Sequence, residues 1–342
     1  MAKLTDYKAI IIDPTGPELT REEEELFCAE KPAGFILFRR NCVSREQVRE
    51  LVVSLRDVVG NPNLPILIDQ EGGTVARLRE PAFREYPAAQ HFADIVAEKG
   101  LEAGCAAVEQ NFYAMALDLA DLGITVNCAP VVDVPAPDCH EFLSASRTYG
   151  RTADEVAAMG AAVCRGLLGA GVTPVIKHIP GHGRARVDSH MALPVVDVSC
   201  EDMSETDFKP FKYISVSDMK TALWAMAAHV VYSAVDPDSA ASVSAHVTEK
   251  VIRGEMGFEG VLIADDISMK ALGGSVESRV QATMAAGMDL TMLCNASFED
   301  RAAALAVCPK VAESAARRIM AAEVGRKAFL RELKNERSRA SV

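Results

Sequence analysis

The stretch KHIPGHGRARVDSH (177–190) holds three of the chain's seven histidines, together with a lysine and an aspartate. Pro180, Gly181 and Gly183 exclude a helix interior, so His182 and His190 belong to a loop. Asp188 and His190 stand two residues apart. In an extended loop their side chains share one side, and the carboxylate can hydrogen-bond one imidazole nitrogen. That contact fixes the tautomer and raises the basicity of the ring, which suits it to give and later take a proton near neutral pH. Two other readings stay open on these residues alone. His178, His182, His190 and Asp188 could ligate zinc, although a His-x3-His pair serves zinc when it lies on a helix face, which HIPGH cannot offer. The loop could also be purely structural, closed by an Asp–His hydrogen bond.

Two further constellations carry carboxylates. LIADDISMKAL (262–272) delivers Asp265 and Asp266 at the end of an apolar run. Successive strand residues point to opposite sides, so one of the two is expected to face inward and the other to cap the helix that follows. LIDQEGGTVARLR (67–79) places Asp69 at a strand end, a sharp turn at Gly72 and Gly73, and Arg77 where it can reach back. A carboxylate accepting hydroxyl hydrogen bonds and an arginine fork spanning vicinal oxygens are common ways to hold a sugar, and a surface salt bridge would leave the same pattern. SASRTYG (144–150) adds Arg147, and Lys177 and His178 end the run TPVIKH.

The elements that must position these groups are legible as an alternation. Short β-branched runs at 9–13, 34–38, 65–69, 124–134, 173–178, 222–232, 260–265 and 290–295 read as strands. Amphipathic stretches lie between them: 44–59 behind a serine cap, 152–171 behind a threonine or aspartate cap, and 277–288. Eight strands alternating with helices predict an α/β fold, a single (β/α)8 TIM barrel over 1–342. The rival open doubly wound sheet would want a glycine-rich phosphate loop after the first strand, and DPTGPELT is not one. Barrel active sites lie at the C-terminal ends of the strands. That rule alone selects Asp13, Asp69, Asp133, His178, His229, Asp265 and Asn295.

Composition bounds the partners. A formal net charge of −12 argues against nucleic acid. The locally basic segment 317–342, with eight Lys/Arg against three Glu, reads as a solvated helix face and tail. Nine cysteines, irregularly spaced and without a CxxC, fit reduced thiols and a cytoplasmic protein. The apolar run near the N-terminus is too short for a signal peptide or a membrane span.

IDQEGGTVARL, SRTYG, KHIPGHGRARVDSH, AHVVY and ADDISM occur in this order. Over residues 8–300 they resemble the β-N-acetylglucosaminidase branch of glycoside hydrolase family 3, the cytoplasmic peptidoglycan-recycling type. The resemblance implies that Asp265 is the nucleophile and that His190, supported by Asp188, is the general acid/base. It implies sugar contacts from Asp69, Arg77, Arg147, Lys177 and His178. It implies retaining hydrolysis with no metal or cofactor and a small glycan partner, GlcNAc on a 1,6-anhydro-N-acetylmuramyl peptide; a monomer is expected. A phosphorylase using phosphate as acceptor and a β-glucosidase-like relative are the alternatives. Ala264 replaces the usual Ser or Thr beside the nucleophile, and Ser144-Ala145-Ser146 departs from the family pattern ahead of Arg147. With 47 residues after Asn295, no further C-terminal domain is expected. His182 is expected to brace the loop.

Overall fold

The computed structural model describes residues 3–137, 139, 146–187 and 193–340. Eight parallel strands close into a barrel: β1 (Lys8–Ile12), β2 (Pro32–Leu37), β3 (Ile66–Ile68), β4 (Val126–Asn127), β5 (Thr173–Ile179), β6 (Trp224–Ala227), β7 (Val261–Asp266) and β8 (Leu290–Leu293). They pair in chain order, and β8 returns to β1 with Ile11 opposite Met292. This is the expected TIM barrel. Its strands are apolar almost throughout because helices cover one face and side chains fill the other. Every residue of β2, β3 and β8 is buried.

The surrounding helices follow their sequence signals. Ser44 accepts from the Gln47 amide to start the helix Arg45–Val59, and Gly60, with φ 68°, ends it in the left-handed region that favours glycine. Val48, Leu51, Val52, Leu55 and Val59 form its buried stripe, each contributing about 1.5–3 kcal/mol of transfer free energy. Thr152 and Glu155 form a capping box for Ala153–Gly169, and Ser275 caps Val276–Ala285.

Three expectations change in detail. The run 124–134 keeps regular strand pairing only at Val126–Asn127. Pro130 has no amide to donate, yet the chain still follows β5, since Val132 donates to Lys177 and Lys177 to Pro130. The run 222–232 splits. β6 stops at Ala227, and Val231–Tyr232 joins a small separate sheet with Val195–Val196 and Asp236–Ala240. The basic C-terminal helix, Glu313–Ala340, is not merely solvated. Arg318 pairs with Asp289 at 2.7 Å, and Arg326 donates to the Gly171 carbonyl, fastening the helix to the barrel. Among the described residues no helix is long and apolar enough to cross a membrane.

Candidate active site

The strand ends open into a cavity of about 420 Å³, within the roughly 300–1,000 Å³ usual for small-molecule sites. Asp69, Glu71, Arg77, Arg147, Lys177, His178, His182, Asp265 and Asp266 line it. Six of the eight residues to which the resemblance gives roles therefore meet there: Asp69, Arg77, Arg147, Lys177, His178 and Asp265. Asp188 and His190 lie outside the described residues.

Behind β3, Gln70 is the organiser. Asn127 at the end of β4 holds the Gln70 backbone at both ends, accepting from its amide and donating to its carbonyl at 3.0 and 2.9 Å. The Gln70 side chain then accepts from the amides of Arg77 and Leu78 and donates to the Leu78 carbonyl. This folds the 71–78 loop back on its strand. At its turn, Gly72 has φ +99°, and a Cβ there would sit 2.2 Å from the Pro87 carbonyl oxygen, so the close approach requires glycine. The result sets Arg77 beside Asp69, with Arg77 Nη2 donating to Oδ2 at 3.0 Å.

Lys177, from β5, joins two carboxylates. Its Nζ donates to Asp69 Oδ1 at 3.0 Å and lies 2.7 Å from Glu71 Oε1. Arg147 grips Glu71 with a two-point fork, Nε and Nη2 each at 2.8 Å. Burial alone would raise the carboxyl of Asp69, but Lys177 and Arg77 outweigh it and hold the group well below the usual range. Burial likewise opposes ionisation of Glu71, and Arg147 and Lys177 bring it down to about 2. Burial would lower the Lys177 ammonium, and Glu71 and Asp69 reverse that. Three cations thus meet two anions in one connected network on the cavity wall. Phe38 adds an aromatic face, with the guanidinium carbons of Arg40 and Arg77 each 5.1 Å from its ring centre.

A second carboxylate fixes the histidines. Asp133, fully buried, accepts from the backbone amides of His178 at 3.1 Å and His182 at 2.7 Å, and its Oδ2 lies 2.8 Å from His178 Nδ1. Burial would raise this carboxyl, but His178 and these donors keep it low and ionised. The His178 Nδ1 must therefore carry a proton. His182 Cα follows Gly181, and the next residue, Gly183, packs so tightly that a Cβ would come 1.8 Å from the Val134 carbonyl oxygen. Burial, then His178, pushes the His182 ring down to about 4, so it is uncharged at neutral pH.

Across the cavity, β7 ends in Asp265 and Asp266. The β7–β8 register shifts between Ile263 and Asp266. Such an irregularity breaks the strict alternation of side chains, and both carboxylates line the cavity. This corrects the expectation that one would turn away and cap the next helix; Ser275 does that. Asp266 instead accepts from the Cys294 amide at 2.9 Å and from the Ser268 amide and hydroxyl, bracing the β7 and β8 ends. Burial lifts its carboxyl to about 6. Asp265 behaves oppositely. Burial would raise it, but His178, His229 and the Asp266 amide, which donates to Oδ1 at 2.8 Å, keep it ionised. His229, fully buried, contacts the Asp266 carbonyl through Nε2 at 2.9 Å and Ser242 through Nδ1 at 2.6 Å. It positions the β7 end and does not line the cavity.

The other strand-end residues divide. Asp13 is buried in an ion cluster with Arg40 and Arg301 that ties β1 to β8, a structural task. Asn295 lines the rim, held by Arg40 at 2.6 Å. Sequence reasoning missed Glu71 and Gln70, although both stand inside the DQEGG run. The signal available was charge balance, since Arg77, Arg147 and Lys177 need more than Asp69 to accompany them inside a barrel. Among the described residues, no three His, Cys, Asp or Glu side chains gather as a metal site.

The arrangement is an ionised carboxylate facing a polar, charge-compensated pocket at the mouth of a barrel, and the sequence decides which such family it is. Residues 3–325 match the glycosyl hydrolase family 3 N-terminal domain. The chain belongs to glycoside hydrolase family 3. It is a glycoside hydrolase. It is 36% identical over 288 residues to a β-hexosaminidase of Pasteurella multocida, covering 84% of this chain and 79% of the relative. The solved NagZ of Neisseria gonorrhoeae superposes with a TM-score of 0.77 at 28% identity, covering 96% of this chain and 98% of that one. A family 3 β-N-acetylglucosaminidase from Paenibacillus sp. str. FPU-7 gives a TM-score of 0.80 at 28% identity; 98% of this chain matches 63% of that longer one.

Proposed function

We propose that the protein is a retaining β-N-acetylglucosaminidase, releasing terminal β-linked GlcNAc from a 1,6-anhydro-N-acetylmuramyl (peptide) partner during cytoplasmic cell-wall recycling. The observation that carries this reading is the ionised Asp265 at the end of β7, set against the Asp69–Arg77–Lys177–Glu71–Arg147 wall. Relatives named β-hexosaminidase support it, as does a Neisseria NagZ solved with N-trifluoroacetyl-D-glucosamine.

In this mechanism the wall orients the sugar by its hydroxyls. Asp265 attacks the anomeric carbon, and the carboxylate stabilises the oxocarbenium-like transition state. His190, protonated and oriented by Asp188, gives its proton to the departing oxygen. Water then attacks the glycosyl-Asp265 ester while His190 takes the proton back, and configuration is retained. An imidazole stands in for the second carboxylate of most retaining glycosidases. Lys270 lines the exposed rim and has no ion pair among the described residues, and we assign it to the leaving-group side. An unpaired cation there suits an anionic aglycone such as a muramyl carboxylate.

The test is turnover of p-nitrophenyl β-N-acetylglucosaminide in phosphate-free buffer with EDTA, with the β-glucoside in parallel. The reading expects hydrolysis of the N-acetyl substrate and release of the β anomer first. Product that forms only with added phosphate would make the enzyme a phosphorylase, and first release of the α anomer would exclude the covalent route.

A further inference from the structure

We infer that His182 is a sugar-contacting residue whose Nε2–H donates to a substrate hydroxyl, beside the ring of His178. The inference rests on the glycosidase reading of the cavity and adds a contact to it. His182 lines the cavity, yet it is 4% exposed. Its backbone is fixed on every side. Its amide donates to Asp133, its carbonyl accepts from Ala185 at 3.0 Å, Tyr232 holds the Gly181 carbonyl at 2.7 Å, and Gly183 abuts Val134.

The ring itself has no such partner. Nδ1 is shut away from solvent with no hydrogen bond, and Nε2 makes none with a described residue. Nδ1 is enclosed, so of the two ring nitrogens only Nε2 is left to meet what the cavity receives. A bracing role alone would be filled as well by an apolar ring, without the cost of stripping water from two nitrogens. Of the two tautomers, the one that leaves a bare lone pair on enclosed Nδ1 avoids an orphaned N–H, the rarer of the two defects. The proton then sits on Nε2. His178 differs, because its Nδ1–H donates to Asp133. The two rings stand edge to face with centres 5.6 Å apart. Two imidazoles at that spacing match one sugar hydroxyl or two neighbouring ones.

The experiment compares wild type, His182→Phe and His182→Gln on p-nitrophenyl β-N-acetylglucosaminide and its 3-, 4- and 6-deoxy analogues, and measures GlcNAc binding to each protein by NMR titration. His182→Phe is expected to lose roughly 10- to 100-fold in kcat/KM on the parent substrate. One deoxy analogue should lose a similar factor on wild type and little more on His182→Phe, a non-additivity that marks direct contact. Gln, whose amide can reach the Nε2 position, should recover part of the loss. If the losses multiply at all three positions, or Phe matches wild type, the contact does not exist. GlcNAc binding separates the two claims. Wild type that binds GlcNAc with the same His182 dependence but does not turn over would overturn the glycosidase reading and keep this contact. Wild type that does not bind GlcNAc overturns both.

Discussion

Asp133→Asn isolates one hydrogen bond in a cluster of three. Asparagine keeps a carbonyl oxygen for the backbone amides of His178 and His182, which now both donate to Oδ1. Its amide nitrogen, however, replaces the oxygen that faces His178 Nδ1. Two donors then point at each other, and relief requires His178 to move its proton to Nε2. The variant loses a charge-assisted hydrogen bond, about 1.5–3 kcal/mol. A chain of 342 residues has an unfolding entropy near 0.7 kcal/mol/K, so Tm should fall by about 2–4 °C. Activity should fall further than stability suggests. The ring proposed to contact the sugar changes tautomer, and kcat/KM should drop roughly 10- to 150-fold. Asp133→Ala, which strands both backbone amides, should be markedly less stable than Asp133→Asn. The assays are thermal unfolding, p-nitrophenyl glycoside turnover and ¹⁵N shifts of the His178 ring. Turnover within twofold of wild type, with the ring in its Nε2–H tautomer, would refute the link between this hydrogen bond and sugar binding.

Other predictions follow from the same geometry. Asp265→Ala should retain the fold and lose nearly all turnover; residual kcat above a hundredth of wild type would count against Asp265 as nucleophile. His190→Ala should be mildly impaired on a p-nitrophenyl leaving group and severely on a poor alkoxide one, and equal losses on both would remove His190 as the acid. Asp69 and Glu71 titrate below their unfolded values of about 3.9 and 4.3, Glu71 near 2. Their stabilisation is complete above the unfolded range and is lost as pH falls toward 2. Tm attributable to this network, read as the difference from Glu71→Gln, should therefore be flat from pH 7 to 5 and shrink below pH 4. Lys270→Glu should leave neutral aryl substrates within about twofold and cost an anionic aglycone about three- to tenfold at low salt, with the difference narrowing as salt is added.

Much of this was legible in the sequence because a parallel barrel imposes one rule on many residues. Apolar runs set the strands, serine and threonine caps set Arg45–Val59 and Ala153–Gly169, and the strand-end rule gathered Asp69, His178 and Asp265. What escaped depends on departures from regular pairing. Alternation says that one of two adjacent aspartates must turn away, and the register shift in β7 sets that aside. Pro130 ends the ladder of β4 while the chain keeps its course. Glu71 and Gln70 look like turn residues, and their roles exist only once the 71–78 loop folds back beside Arg147, 76 positions away from Glu71. Asp13 obeys the strand-end rule, yet Arg301, a distant residue, claims it for the core.

The central claim is that Asp265 forms a covalent bond to the sugar. The direct measurement is acid quenching of the enzyme during turnover of p-nitrophenyl β-N-acetylglucosaminide, in His190→Ala to slow release, followed by peptide mass spectrometry. The account predicts a mass gain of one N-acetylhexosamine residue on the peptide that carries Asp265, located to that side chain and absent from Asp265→Ala. Steady turnover with no adduct at Asp265, or an adduct on another residue, would contradict it.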